Sequence, residues 1–577
     1  MFGKSWATSE RKYNIIVEND VKIKTRDGTS LNADIFRPKS DGDKFPAILG
    51  IHPYLPDQSP PIRPKANSTT AGNWATTVEK PNSPMEAGDP EFYARRGYVH
   101  VICNLRGTDL SEGSYEFVGK KELDDVYDVV EWIATRPWCD GKVGMFGVSY
   151  FAWIQQFAAT TNPPHLKCLF GPYAATDFYR DVVYHGGILS LWALNWRRLL
   201  FKVRMRSITR EEIGEDRFKQ AISQALQNDE LSFSSKVEAA LKNPLEGDNS
   251  LATDLVLHPL DDKFWLERRV NYENIKIPAY LGGDWAIYGL HLPGAFRAWE
   301  SISTPKKMTI GPPVNLDRPV YQYQYESLRW FDYWLKGIDT RIMDEPAIKL
   351  YVMGKGEWKE TTEWPLPETK WTPFYLHDGS LLSEHEFWPN EAFDSYEDSP
   401  WGRGFVEYYT PPLVEKTEVI GPLVLNLFGS TTDDEILWFV SLRDVAPDMK
   451  ETILTRGWLR GSHREVDQSK SKPWYPYHPH NRSVPLKPNE IYEFNISLVP
   501  TANLFKEGHR IALKISSSDD PPKNTFEGIA SEHLRRQKPS RIAVHHDFDH
   551  PSNLLIPVTS GNVIGTFMSG GSVQPLQ

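Results

Sequence analysis

Cysteine is scarce in this chain: Cys103, Cys139 and Cys168 are the only three in 577 residues, and no two form a CxxC pair. An odd, widely spaced set signals neither a disulfide framework nor a thiolate zinc site, so all three read as small apolar side chains for the interior. Long hydrophobic runs are also missing. No stretch reaches the roughly eighteen apolar residues a membrane span requires, and the opening "MFGKSWATSERKYN" has no apolar core, so neither a span nor a signal peptide is expected. A cytoplasmic location is the default. Concentrated positive charge is the third lack. With 65 Lys and Arg against 76 Asp and Glu the net charge is −11, and no basic stripe stands ready to neutralise phosphates, which excludes nucleic acid as a partner. The densest basic stretch, "NWRRLLFKVRMRSITR" (195–210), interleaves cations with Leu, Phe, Val and Met and reads as the solvated face of an amphipathic helix.

Metal and cofactor signals are lacking as well. The histidines of "YPYHPHNR" (475–482) have no second ligand cluster and read as a loop with two exposed imidazoles. Neither GxxxxGK[ST] nor a GxGxxG after the first strand occurs, so no metal and no organic cofactor are expected. Aromatic residues, in contrast, are plentiful. The 20 Trp, 25 Tyr and 27 Phe exceed what β-domain cores account for and point to an aromatic-lined pocket.

The length calls for several compact units. "IIVENDVKIKTRDGTSLNADIFRP" (15–38) alternates polar and apolar residues across an Asp-Gly turn, a hairpin signature, and "FPAILGIHPY" (45–54) reads as a buried strand. A Pro-, Ser- and Asn-rich run from Gln58 to Asp89 reads as a long surface loop of the kind that often carries function. Strand and helix patterns then alternate through "EFYARRGYVHVICNLRG", "KKELDDVYDVVEWIATRPW", "DGKVGMFGVSY" and "QQFAATTNPPHLKCLFGPYA", which predicts a parallel sheet with right-handed crossovers. Charged amphipathic helices without strands fill 177–262, and "IPAYLGGDW", "KKMTIGPP" and "YESLRWFDYWLKGI" resume and close the sheet. From 346 onward, short β-rich runs beginning with "AIKLYVMG" are separated by Pro, Gly, Asp and Asn turns, as in a jelly-roll sandwich. The expected units are an α/β domain (1–176 and 263–345), a helical insertion (177–262) and an all-β domain (346–577).

In "GMFGVSYFAW" (144–153) an apolar strand runs into a glycine and, two residues later, Ser149. A strand-to-helix turn of this kind exposes a serine hydroxyl beyond the carboxyl end of a parallel sheet, where α/β folds carry their chemistry. The second glycine usual in such turns is replaced by Phe151.

"RGTDLSEG" (106–113), "WCDGKVGMFGVSY" (138–150), "RWFDYWLKG" (329–337), "SSSDDPPKNT" (516–525) and "HHDFDHPSNLLIPV" (545–558), in this order, resemble the cocaine-esterase and X-prolyl-dipeptidyl-peptidase family of serine hydrolases. The resemblance implies an α/β-hydrolase domain with an inserted helical cap and a C-terminal jelly roll. It also implies an oxyanion hole from the Tyr54 hydroxyl of "GIHPY" and the backbone N–H of Tyr150. Where the family carries its triad aspartate and histidine, however, this chain has Ala286 in "GGDWAIYG" and Asn315 in "GPPVN".

A serine hydroxyl needs a base within reach, and asparagine cannot accept and return a proton. The neighbouring substitutes are His291 in "GLHLPG" as a relocated base and Asp284, which is equally well explained as a turn residue. His52, His185, Trp192, Trp196 and Trp285 are the candidate pocket walls. The expected function is hydrolysis of an ester or amide of a small acyl or aromatic substrate through an acyl-enzyme on Ser149. The lack of an N-terminal helical domain leans this towards the esterase branch. Alternatives are an acyltransferase or non-hydrolytic cyclase or lyase on the same fold, and a silenced ligand-binding homologue. A small molecule is the expected partner, and homo-oligomerisation is left open.

Overall fold

The Asp-Gly hairpin forms where the alternation places it: β1 (Ile15–Lys24) and β2 (Ser30–Pro38) pair antiparallel, with Gly28 at φ 88° in the turn. The computed structural model describes residues 5–54, 85–196, 203–246, 249–313, 319–386, 392–402, 404–521 and 532–561. All eight residues of β3 (Phe45–His52) are buried, as in a strand covered on both faces. β4 (Val99–Asn104), β5 (Cys139–Phe146) and β6 (Leu166–Phe170) follow. A two-residue hairpin, β7 (Tyr184–His185) and β8 (Ile188–Leu189), stands apart, and β9 (Ala279–Asp284), β10 (Lys306–Gly311), β11 (Ile348–Val352) and β12 (Glu357–Thr361) return to the sheet. The strand order is β1-β2-β4-β3-β5-β6-β9-β10-β11-β12, parallel from β4 to β11.

Helices α1 (Pro90–Ala94), α2 (Lys120–Ala134) and α3 (Tyr150–Ala159) make the first crossovers. The insertion carries α4 (Leu191–Trp196), α5 (Ile208–Ile213), α6 (Glu215–Leu226), α7 (Asp229–Phe233), α8 (Ser235–Lys242), α9 (Asn249–Leu257) and α10 (Lys263–Leu266). α11 (Leu292–Ser301) and α12 (Pro319–Lys336) complete the α/β part. This is an α/β-hydrolase domain with a helical cap. The second sheet has eleven strands, and its strand Thr417–Thr431 pairs with Tyr492–Phe505, Ser540–His545 and Asn553–Ser560, which closes it into a barrel-like jelly roll around its own apolar core. All three cysteines are buried free thiols, and among the described residues no helix is long and apolar enough to cross a membrane.

Four expectations are corrected. "AIKLYVMG" does not open the all-β domain: as β11 it pairs parallel with β10, and its Ile348, Leu350 and Val352 turn into the α/β core. An uncovered β10 would leave a row of unpaired backbone groups, and β11 and β12 cover it. The insertion is not purely helical, since β7 and β8 form a hairpin within it. No continuous helix spans 195–210, because Val203–Ser207 is not helical: the Arg204 N–H donates to the Gly107 carbonyl, and the Arg204 carbonyl accepts the Tyr115 N–H. The imidazoles of 475–482 are not exposed: His478 bonds the carbonyls of Glu465 and Asn495, and His480 is buried against His463.

The end of β4 is tied to α2 by Arg106, whose guanidinium donates to both oxygens of Asp125 at 2.7 and 2.6 Å, with the two side chains only 5% and 1% exposed. Burying a charge is tolerable only while its partner is present. Asp125→Ala should therefore cost about 3 kcal/mol in urea unfolding, while the apolar pair Arg106→Met with Asp125→Leu should recover most of it.

Candidate active site

Ser149 stands between β5 and α3 with φ 57° and ψ −126°, a left-handed backbone that a non-glycine residue adopts only when its surroundings impose it. Two glycines permit the turn. Gly147 has φ 144°, and a Cβ there would lie 2.3 Å from the Cβ of Phe151. Gly50 on β3 answers the phenylalanine that replaces the usual second glycine: a Cβ at 50 would meet the Phe151 ring at 3.3 Å. The room that the phenylalanine occupies is thus left by a glycine on the facing strand. Phe151 is then fully buried among Phe36, Ala87, Ala94 and Ile102 and stacks on His52 at 4.8 Å.

The structure brings His291 to Ser149, with Nε2 3.3 Å from Oγ. His291 is the N-cap residue of α11 and is wholly buried, its ring edge-on to Trp153 and Tyr173. Burial alone pushes its pKa down to about 3. Its Nδ1 has no hydrogen-bond partner among the described residues.

Asp284 does not supply that partner. Its Oδ1 accepts the N–H groups of Ala286 and Ile287 at 2.8 and 3.1 Å, and Oδ2 accepts the Tyr173 hydroxyl at 3.0 Å. The turn it closes is the bland alternative weighed for it in the sequence, and Ala286, at the vacant acid position, is simply a residue of that turn. Asn315 and the side chain of Trp196 lie outside the described residues.

Tyr54 stands beside the elbow, its ring edge-on to Tyr150 at 6.3 Å. Its backbone is fixed from both sides: the N–H donates to His52 Nδ1 at 3.1 Å and the carbonyl accepts from Asn104 at 3.0 Å. Tyr150 opens α3, where backbone N–H groups have no partner within the helix. Its hydroxyl accepts from Tyr115 at 2.9 Å. His52, its pKa lowered to about 3 by burial, is thus a support under Tyr54. Trp192 is half-buried on α4 against the core. Two other pocket candidates are committed elsewhere. Trp285 donates to the Tyr351 carbonyl at 2.6 Å and stacks on Phe296, so it belongs to the core between β11 and α11. His185 bonds His533 at 2.7 Å and stacks on Trp458, joining the cap to the all-β domain.

Sequence reasoning missed Glu86, at the end of the loop it had marked as functional. Burial raises this carboxyl to about 8, against the opposing influence of the Ser149 hydroxyl. Away from the site, Asp378, Asp394 and His546 group closely enough for a cation, but Asp394 already accepts from Tyr408 and His546.

A serine on a strained strand-to-helix turn, with an imidazole on its hydroxyl, is the arrangement of a serine hydrolase. The family model for X-Pro dipeptidyl-peptidase (S15 family) matches residues 27–314, and that for the X-Pro dipeptidyl-peptidase C-terminal non-catalytic domain matches 340–555. The chain belongs to this family. Cocaine esterase from Rhodococcus sp. (strain MB1 Bresler) is 29% identical, over 94% of this chain and 99% of its own length. A CocE/NonD family hydrolase from Staphylococcus aureus superposes with a TM-score of 0.76 at 27% identity, covering 95% of this chain and 94% of that one. An α-amino acid ester hydrolase shares the fold, with a TM-score of 0.72 at 19% identity over 97% and 99% of the two chains. As a member of the S15 family the chain is a hydrolase of the serine class, and the family's chemistry is cleavage of esters or amides.

Because Asp284 is spent on its own turn, Asp284→Asn should weaken folding by about 1 kcal/mol while lowering fluorophosphonate labelling of the protein by less than an order of magnitude. Urea melts and intact-mass kinetics check the two halves separately.

Proposed function

We propose that this hydrolase cleaves an ester or amide of a small acyl or aromatic substrate through an acyl-enzyme on Ser149. The observation that carries the reading is the left-handed Ser149 with its hydroxyl 3.3 Å from His291 Nε2, on a turn whose packing the surrounding residues are shaped to hold. The Tyr54 hydroxyl and the Tyr150 N–H are the oxyanion donors in this reading: one comes from a backbone pinned by His52 and Asn104, the other from the N-terminus of α3. Tyr54, Phe151, Trp153 and Tyr173 make the surroundings aromatic, which favours an apolar or aromatic acyl group. Trp192 on the cap would extend that wall.

The reaction divides into two displacements. Oγ attacks the acyl carbon as its proton passes to His291 Nε2, which later gives it to the leaving alcohol or amine, and the negative charge that develops on the carbonyl oxygen meets donors already in place. Collapse expels the alcohol or amine, and water then takes the same path to release the acid. Intact-mass labelling with a fluorophosphonate should add one label to the native chain and none to Ser149→Ala. Tyr54→Phe should slow acylation by about 10²- to 10³-fold, the usual effect of losing one oxyanion donor. Labelling that persists in Ser149→Ala would overturn the reading.

A further inference from the structure

His291 reaches Ser149 from a short closed turn. The N–H groups of Leu290, His291 and Leu292 all donate to the Ile287 carbonyl, at 3.4, 3.2 and 3.3 Å, so residues 287–292 are folded onto one oxygen. Both ends of this turn are fastened within the α/β domain. Before it, Asp284 accepts the N–H groups of Ala286 and Ile287, and Trp285 donates to the Tyr351 carbonyl of β11. After it, Gly294 lies against the backbone of Ala174, where a Cβ would fall 2.1 Å from the carbonyl oxygen. Within the turn, three residues before His291, stands Tyr288, and its hydroxyl accepts the Nε–H of Arg456 at 3.1 Å. That hydrogen bond comes from the other domain.

Arg456 belongs to the strand Glu451–Arg460 of the second sheet, in which alternate side chains share a face. Arg456, Trp458 and Arg460 are on one such face, and each meets a different part of the hydrolase domain. Trp458 stacks on His185 of β7 at 4.9 Å, Arg460 pairs with Glu230 of α7 at 2.6 Å, and Arg456 holds the Tyr288 hydroxyl. The strand itself is fixed from both sides. It pairs with Leu437–Val445 along its length, and the Thr455 hydroxyl donates to the Val499 carbonyl at 2.6 Å on Tyr492–Phe505.

The guanidinium is placed as firmly as the strand. Arg456 is buried, and Asp519 Oδ1 lies 3.9 Å from its Nη1, while Asp519 Oδ2 bonds the backbone N–H and the Nδ1 of His533 at 3.1 and 2.9 Å. A hydrogen bond from a charged donor out of water is stronger than one between neutral groups, so the contact with Tyr288 is a firm one.

The distance of 3.3 Å between His291 Nε2 and Ser149 Oγ is at the outer end of the range over which a proton passes directly. A few tenths of an ångström at the imidazole therefore change how ready the transfer is, and the imidazole goes where its turn goes. We infer that Arg456 is a positioning residue of this hydrolase: through the Tyr288 hydroxyl it holds the turn that carries His291 in register with Ser149. The inference rests on Ser149 and His291 acting as nucleophile and base. The domain whose family model is described as non-catalytic thus takes part in the reaction without touching the reacting atoms. Because Trp458 and Arg460 of the same strand hold the cap, cap and catalytic turn share one reference.

The test is inactivation of the full chain by a fluorophosphonate over a range of concentrations, which separates the limiting rate kinact from the half-saturating concentration KI. All variants are compared where urea melts show them folded. Tyr288→Phe removes one hydroxyl and should lower kinact about tenfold, less than the roughly hundredfold cost of a misplacement by a whole ångström, with KI within about twofold of the native value. Arg456→Met should do the same. The double variant should be no slower than the slower single one, since both delete one bond. Arg456→Lys, which keeps a cationic donor, should recover part of the rate. Thr455→Val loses the neighbouring bond to Val499 and should unfold at lower urea with kinact unchanged, which separates positioning from the strength of the strand. Native kinact in Tyr288→Phe and Arg456→Met, losses that multiply in the double variant, a loss carried by KI, or an equal loss in Thr455→Val would each overturn the inference. Native-rate labelling of His291→Ala, or any labelling of Ser149→Ala, would instead remove the pair on which it rests.

Discussion

The left-handed backbone of Ser149 is a conformation that costs about 1–3 kcal/mol and must be held by its neighbours. Much of the local architecture can be understood as what holds it. Gly147 gives the chain room to turn, and the side chain of Phe151 locks the first turn of α3 against β3. Phe151 needs the absent Cβ of Gly50, so a residue almost a hundred positions upstream sets what the serine turn can carry. The carbonyl of Glu86 then takes the elbow's Val148 N–H, tying a third segment to the same few atoms.

Around that turn the interior is aromatic and nearly free of formal charge. In such surroundings an ionisable group is driven towards its neutral form, which explains why His52 and His291 fall to about 3 while Glu86 rises to about 8. A triad of the usual kind relies on a carboxylate behind the imidazole to stabilise its charged form. Here, among the described residues, the Nδ1 of His291 finds no partner, its ring meets those of Trp153 and Tyr173 edge to face, and the aspartate of the same loop closes its own backbone.

The cap and the all-β domain are joined to this centre through polar contacts. His185 of β7 meets His533, which bonds Asp519, and Arg456 donates to the Tyr288 hydroxyl on the loop that leads to His291. Gly186 and Gly187 allow the cap hairpin to lie against the strand carrying Trp458, since a Cβ at 186 would fall 2.0 Å from the Trp458 carbonyl oxygen. The all-β domain therefore forms part of the support of the His291 loop.

The sequence alone was enough for the α/β order, the run of β turns and the place of Ser149 between a strand and a helix, because each is written in a local pattern: period two, period 3.6, and a glycine before a serine at a strand end. It also singled out His291 from proximity along the chain. What it could not supply was anything that depends on two distant segments meeting. "AIKLYVMG" has the same alternation whether it opens a sandwich or covers the edge of β10, and only the sheet decides which. Asp284 and Glu86 are both acidic residues beside turns, indistinguishable by composition. Tertiary packing spends the first on the N–H groups of its own loop and lays the second against the elbow, since burial and hydrogen-bond reach are properties of the folded surroundings and not of the residue.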